Sequence, residues 1–152
     1  MSRKPPKPAS RKTNVSPQIA VIASRFNQEI VDELLRRCVT RLHKLGVNPK
    51  KITIHRVPGA FELPVAAKLA AETKKFAAII CLGAVIRGDT PHFDFVAGES
   101  ARGIQQVALE TRIPIIFGVL TTDTERQAKD RLDAGTRAAD AALEMAELAR
   151  EF

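Results

Sequence analysis

Phe76-Ala77-Ala78-Ile79-Ile80-Cys81-Leu82-Gly83-Ala84 decides the fold of this 152-residue chain. The stretch carries no charge and is apolar at odd and even positions alike, so a strand built from it buries both of its faces. Strands of that kind belong to parallel sheets covered by helices on each side. The flanking segments agree. Residues 61–74 before it and 96–112 after it repeat their apolar side chains at helical spacing, Ala97, Ala101, Ile104 and Ala108 marking the second face. Further upstream, Ile19-Ala20-Val21-Ile22-Ala23 reads as a first strand. Ile30, Leu34, Cys38 and Leu42 then give a helix that Gly46 closes. Residues 51–57 alternate as a second strand and stop at Pro58-Gly59, and residues 114–120 form a fourth. Two helices over 124–132 and 136–151 follow, broken near Asp133-Ala134-Gly135. The expected fold is an α/β three-layer sandwich with a four-stranded parallel sheet. Right-handed crossovers put all four strand C-termini on one edge, and ligands of open α/β sheets bind along that edge.

Composition narrows the partners. The 24 Lys and Arg against 17 Asp and Glu give a net charge of +7, at face value the signature of a nucleic-acid binder. Residues 1–14, however, hold Arg3, Lys4, Lys7, Arg11 and Lys12 and no acid, which leaves 19 bases against 17 acids in the remaining 138 residues. A basic, Pro-rich and flexible tail therefore precedes a single domain at 15–152 whose charge is nearly balanced, which argues against nucleic acid. Cys38 and Cys81 lie in apolar runs and are expected as reduced, buried thiols. Cys/His spacing for a metal is absent, as is an apolar stretch of the roughly 20 residues a membrane span needs. A cytoplasmic setting, no membrane, no metal and no cofactor are the expectations.

The site is sought at the strand ends. Ser24-Arg25-Phe26-Asn27 follows the first strand, Pro58-Gly59-Ala60-Phe61-Glu62 the second, Val85 to Asp94 the third, and Thr121-Thr122-Asp123 the fourth, with Arg131 two turns beyond. Phe26, Phe61, Phe93 and Phe95 gather here, as does one of only three histidines. There is no GxGxxG and no GxxxxGK[ST], which removes the main support for a dinucleotide or a P-loop nucleotide. Gly88-Asp89-Thr90 before a helix offers N–H groups and a hydroxyl to an anion, although the same residues make ordinary turns.

Ser24-Arg25-Phe26-Asn27, Val57-Pro58-Gly59-Ala60-Phe61-Glu62-Leu63-Pro64 and Gly83-Ala84-Val85-Ile86-Arg87-Gly88-Asp89-Thr90-Pro91-His92-Phe93-Asp94 together resemble the lumazine synthase family, in order and at its spacing. The resemblance runs from about Gln18 to Arg131. It implies a flavodoxin-like subunit that forms homopentamers, often assembled into 60-subunit shells. It also implies condensation of 5-amino-6-(D-ribitylamino)uracil with 3,4-dihydroxy-2-butanone 4-phosphate, the penultimate step of riboflavin synthesis, with a functional link to riboflavin synthase. Small-molecule substrates are the implied partners. A non-catalytic flavin- or lumazine-binding relative is the alternative, and loss of His92 or Arg131 would mark it. Both are present.

Matched motif by motif, the resemblance implies that Phe26 stacks on the pyrimidine, with Asn27 beside it. Ala60, Phe61 and Glu62 hold the ribityl chain, and Ala84, Val85 and Ile86 line the uracil pocket through backbone groups. Asp89, Thr90 and Arg131 bind the phosphate, the guanidinium fork suiting its oxygens. His92 is the acid/base, because imidazole exchanges protons near neutral pH. Phe117 reaches a neighbouring subunit's site. Glu62 is equally a helix N-terminal acid, and Phe117 equally a strand-core residue. Beyond Arg131 the family usually carries a longer connection with two lysines; here the shorter 133–139 stands, with Arg137 as candidate for the first lysine and no counterpart for the second.

Overall fold

In the computed structural model, residues 4–9 and 16–152 are described; the expected flexible tail falls partly on 1–3 and 10–14, outside them. The chain runs β1 (Ile19–Ser24), α1 (Gln28–Lys44), β2 (Ile52–Val57), α2 (Leu63–Glu72), β3 (Ala78–Ile86), α3 (His92–Thr111), β4 (Ile115–Thr122), α4 (Glu125–Lys129) and α5 (Ala134–Glu151). Every neighbouring pair in the sheet is parallel and the order is β2-β1-β3-β4. This is the four-stranded, flavodoxin-like α/β sandwich expected from the sequence.

The two-sided strand explains the layers. On one face Ile80 and Leu82 of β3 pack with Val21 of β1, Leu34 and Cys38 of α1 and Ala138 and Ala142 of α5. On the other, Ile79 and Cys81 pack with Ile22, with Leu63 and Ala67 of α2 and with Ile104 of α3. Each large aliphatic side chain buried this way contributes about 1.5–3 kcal/mol. β2 is an outer strand and the one of the four with no buried residue, Ile54, His55 and Arg56 being exposed in succession.

β3 and β4 run two residues further than the sequence expectation, to Ile86 and Thr122, α2 is two residues shorter at each end, and three other helix boundaries differ for physical reasons. α3 begins at His92 rather than Val96, because Pro91 suits a helix start and the first turn faces solvent, where apolar periodicity gives no signal. The predicted 124–132 helix shrinks to Glu125–Lys129. α5 starts at Ala134, so Gly135 lies inside the helix and is not its break. That glycine serves packing: a Cβ on it would stand 2.3 Å from the Leu34 carbonyl oxygen, so its absence lets α5 sit against the backbone of α1. Arg41 of α1 donates through Nε to buried Asp140 of α5 at 2.9 Å across the same seam.

Candidate active site

The loops after the four strands share one edge of the sheet, and backbone hydrogen bonds tie them to one another. Phe26 N–H donates to the Pro58 carbonyl at 3.2 Å and Arg25 N–H to that of Val57 at 2.9 Å, joining the first loop to the second. The recorded β1–β3 pairing ends at Ala23–Leu82. Two residues further along β3, Asn27 takes over: its Nδ2 donates to the Ala84 carbonyl oxygen at 2.9 Å. To do so Asn27 adopts φ 54°, ψ 49° at the start of α1, a left-handed conformation that Asn tolerates better than most residues. Asn27 thus fastens β1 to β3 with its amide nitrogen.

Phe26 projects beside this joint and is 72% exposed. Residues Ala60–Glu62 form a single 3-10 turn before α2. Ala60 is buried, Phe61 exposed, and the Glu62 carboxylate accepts the Gly59 N–H at 2.9 Å. A carboxylate has further acceptor capacity, so this contact leaves Glu62 able to take a hydroxyl. A Cβ on Gly59 would lie 3.4 Å from the Phe26 ring, which puts the first two loops in contact range. Ala84 and Val85 are buried at the end of β3 and Ile86 is half-buried. Beneath them the Ser24 hydroxyl is buried without a hydrogen-bond partner among the described residues, 3.0 Å from where a Cβ on Gly83 would be.

Asp89 and Thr90 lie exposed in the loop that enters α3, and His92 is the first residue of that helix. The Thr90 hydroxyl accepts the His92 N–H at 3.4 Å. His92 is exposed, as are His43 in the last turn of α1 and His55 in β2, but of the three only His92 stands on the loop edge. Arg131 follows α4, its Nη1 donating to the Gln127 carbonyl at 2.9 Å. Arg137 lies exposed in α5.

Residues 16–150 match the family model described as 6,7-dimethyl-8-ribityllumazine synthase. The chain belongs to that family. The lumazine synthase match spans all four strands and, but for Glu151, all five α-helices of the described residues.

Phe117 stands apart from the other site residues expected of a lumazine synthase. It is in mid-strand on outer β4, opposite Cys81 and 43% exposed. Thr122, at the end of β4, lies five positions further on, roughly 17 Å of strand. The remaining expected residues share the loop edge. Among the described residues no group of three or more His, Cys, Asp or Glu comes together, so His92 and Asp94 gain no third ligand for a metal. An apolar groove of about 560 Å3 lies at the opposite end of β4, between the ends of α3 and α5, and none of the expected site residues lines it.

Sequence reasoning missed one side chain in the middle of this edge. Arg87 donates through Nε to Asp123 at 2.9 Å and through Nη1 to Asp94 at 3.3 Å, and lies 4.3 Å from the centre of the Phe93 ring. Hydrogen bonding to Asp123, with the charge of Asp94 beside it, holds the guanidinium pKa above its ordinary value. The signal was available in that an arginine stands between a buried strand and a glycine turn. Its carboxylate partners are 7 and 36 residues away, and only the fold brings them in.

Proposed function

We propose that the chain is an active 6,7-dimethyl-8-ribityllumazine synthase, condensing 5-amino-6-(D-ribitylamino)uracil with 3,4-dihydroxy-2-butanone 4-phosphate in the penultimate step of riboflavin biosynthesis. The observation that carries this reading is the meeting, at one sheet edge, of an exposed aromatic at Phe26, the Glu62 turn and a loop whose His92 opens a helix. The uracil ring stacks on Phe26, a contact worth about 1–3 kcal/mol for aromatic bases elsewhere. Asn27 borders the ring and Ala84, Val85 and Ile86 meet its edge. Ala60, Phe61 and Glu62 hold the ribityl hydroxyls. Asp89 and Thr90 offer N–H groups, and Thr90 a hydroxyl, to the phosphate, while Arg131 supplies the opposing charge.

The chemistry asks for alignment and a proton carrier. The 5-amino nitrogen attacks a butanone carbonyl, and its protons leave with the carbonyl oxygen as water to give an imine. Phosphate departs with the electrons of its C–O bond as a neighbouring carbon gives up a proton. The enol left behind takes a proton at its terminal carbon and gives up its hydroxyl proton to become a ketone, and the ribitylamino nitrogen closes the ring on that new carbonyl, with loss of another water. His92 takes and returns these protons. Proximity supplies much of the rate, because both reactants are already reactive. Phe117 of a neighbouring copy completes the site, in a homopentamer or a 60-subunit shell. The product passes to riboflavin synthase in the cytoplasm.

The test mixes the two substrates with the purified chain and follows lumazine fluorescence. Product at the uncatalysed rate refutes the reading and leaves a non-catalytic binder. His92→Ala is expected to lower kcat by about tenfold, below the 10²–10⁴ typical of positioned proton transfer. Arg131→Ala is expected to raise KM for the phosphate substrate by about tenfold, as loss of a charge-assisted contact does. Unchanged kinetics in both variants would overturn the residue assignment.

A further inference from the structure

Arg87 contacts the end of β4, the turn after it and the first turn of α3, next to the proposed phosphate position. Its backbone N–H donates to the Thr122 carbonyl at 2.9 Å, fixing the start of the 88–91 loop to the end of β4. Its guanidinium holds Asp94, in the first turn of α3, and Asp123, in the turn after β4, and covers the Phe93 ring. From Asp123 the contacts continue. Asp123 N–H donates to Gln127 Oε1 at 2.8 Å, and the Gln127 carbonyl accepts Arg131 Nη1 at 2.9 Å. Asp89, Thr90 and His92 on one side and Arg131 on the other are therefore joined through Arg87, Asp123 and Gln127.

We propose that Arg87 is a positioning residue for phosphate binding, holding the 88–92 segment and the Arg131 turn at the separation a phosphate ester needs without touching the ester. Residues 88–91 are all exposed, and backbone N–H groups bind an anion well only when held in place beforehand. Arg87 is not itself the phosphate's cation, because two carboxylates already share its charge. Exposed ion pairs contribute little to global stability singly. The effect of this one therefore falls on loop position. A lysine cannot replace it fully: a single ammonium lacks the fork that meets Asp94 and Asp123 from two nitrogens.

This inference deepens the reading given above and rests on it, so its test has an arm independent of turnover. In steady-state kinetics of the full chain, Arg87→Ala is expected to raise KM for the butanone phosphate about tenfold, with KM for the amine within about twofold and kcat lowered less than in His92→Ala, and Arg87→Lys to recover part of the loss. In thermal-shift titrations with inorganic phosphate, Arg87→Ala is expected to need about ten times more phosphate for the same stabilisation. Equal rises in both KM values, or phosphate titrations that coincide, would overturn the positioning role. A wild-type chain that makes no lumazine yet loses its phosphate response in Arg87→Ala would overturn the reaction and keep the clamp.

Discussion

Asn27 offers the sharpest separation between a backbone effect and a contact. Its φ of 54° is a conformation in which a Cβ is penalised by roughly 1–2 kcal/mol, less for Asn than for most residues. Its Nδ2 bond to Ala84, at 2.9 Å, contributes about 1 kcal/mol net. Asn27→Ala loses the bond and meets the full left-handed penalty, part of which Asn already bears, so it should cost about 2 kcal/mol and at most about 3 kcal/mol. Asn27→Gly loses the same bond but relieves the backbone, and should cost about 1 kcal/mol. For a chain of this size 1 kcal/mol moves Tm by about 2–4 °C. The alanine variant should therefore melt roughly 4–12 °C below wild type, and the glycine variant a few degrees below. Differential scanning calorimetry at one fixed protein concentration reads both. Equal melting of the two variants would refute the backbone part of the reasoning, and an alanine variant as stable as wild type would refute all of it.

Two helical glycines should respond to alanine with opposite signs. Gly98→Ala, with nothing within 4 Å of the new Cβ, should gain up to about 1 kcal/mol of helix propensity. Gly135→Ala, facing the Leu34 backbone at 2.3 Å, should lose more than about 2 kcal/mol as α1 and α5 part, and urea denaturation of both variants decides. Burial pushes the Cys38 and Cys81 thiols up to about 12, so neither should react with a thiol reagent at pH 8 until denaturant is added. The unfolded thiols ionise from about pH 8.5, so the unfolded state holds fewer protons above that point. Their contribution to stability, fully present below it, should decline as pH rises toward 12, and pH-dependent melting measures the slope.

The sheet was legible because β3 is apolar on both faces, a pattern that admits few other folds. The loop residues were legible because strand C-termini of a parallel sheet must share an edge. What stayed hidden depended on distance in sequence. Gly135 looks like a turn residue until Leu34, from another helix, comes within 2.3 Å of its missing Cβ. Asn27 stands among the site residues in sequence, and that its nitrogen fastens Ala84, 57 residues away, shows only in the fold. Arg87 shows no partner in the sequence until Asp123 arrives from the turn after β4. In each case the residue type was visible and the partner was not.

Phe117 bears on assembly in a way that kinetics can decide. Phe26, Phe61, Phe95 and Phe117 are 72%, 57%, 66% and 43% exposed, more aromatic surface than one flat ring can cover. Phe61 continues into Val65 and Leu69 along α2, exposed at four-residue intervals, so an apolar stripe runs down that helix. A loop edge on one copy that receives mid-strand Phe117 from the next is a contact between two unlike patches. Unlike patches generate rings where the rotation closes and filaments where it does not, never two-fold dimers. The consequence is complementation. Phe26→Ala and Phe117→Ala should each lose activity in homogeneous assemblies. Co-expressed in equal amounts, about a quarter of the sites would pair an intact Phe26 with an intact Phe117 from the adjacent copy, and activity should exceed the mean of the two separate variants. If both phenylalanines served one chain's own site, no mixed assembly would contain an intact pair. Activity at that mean would then place Phe117 outside any shared site.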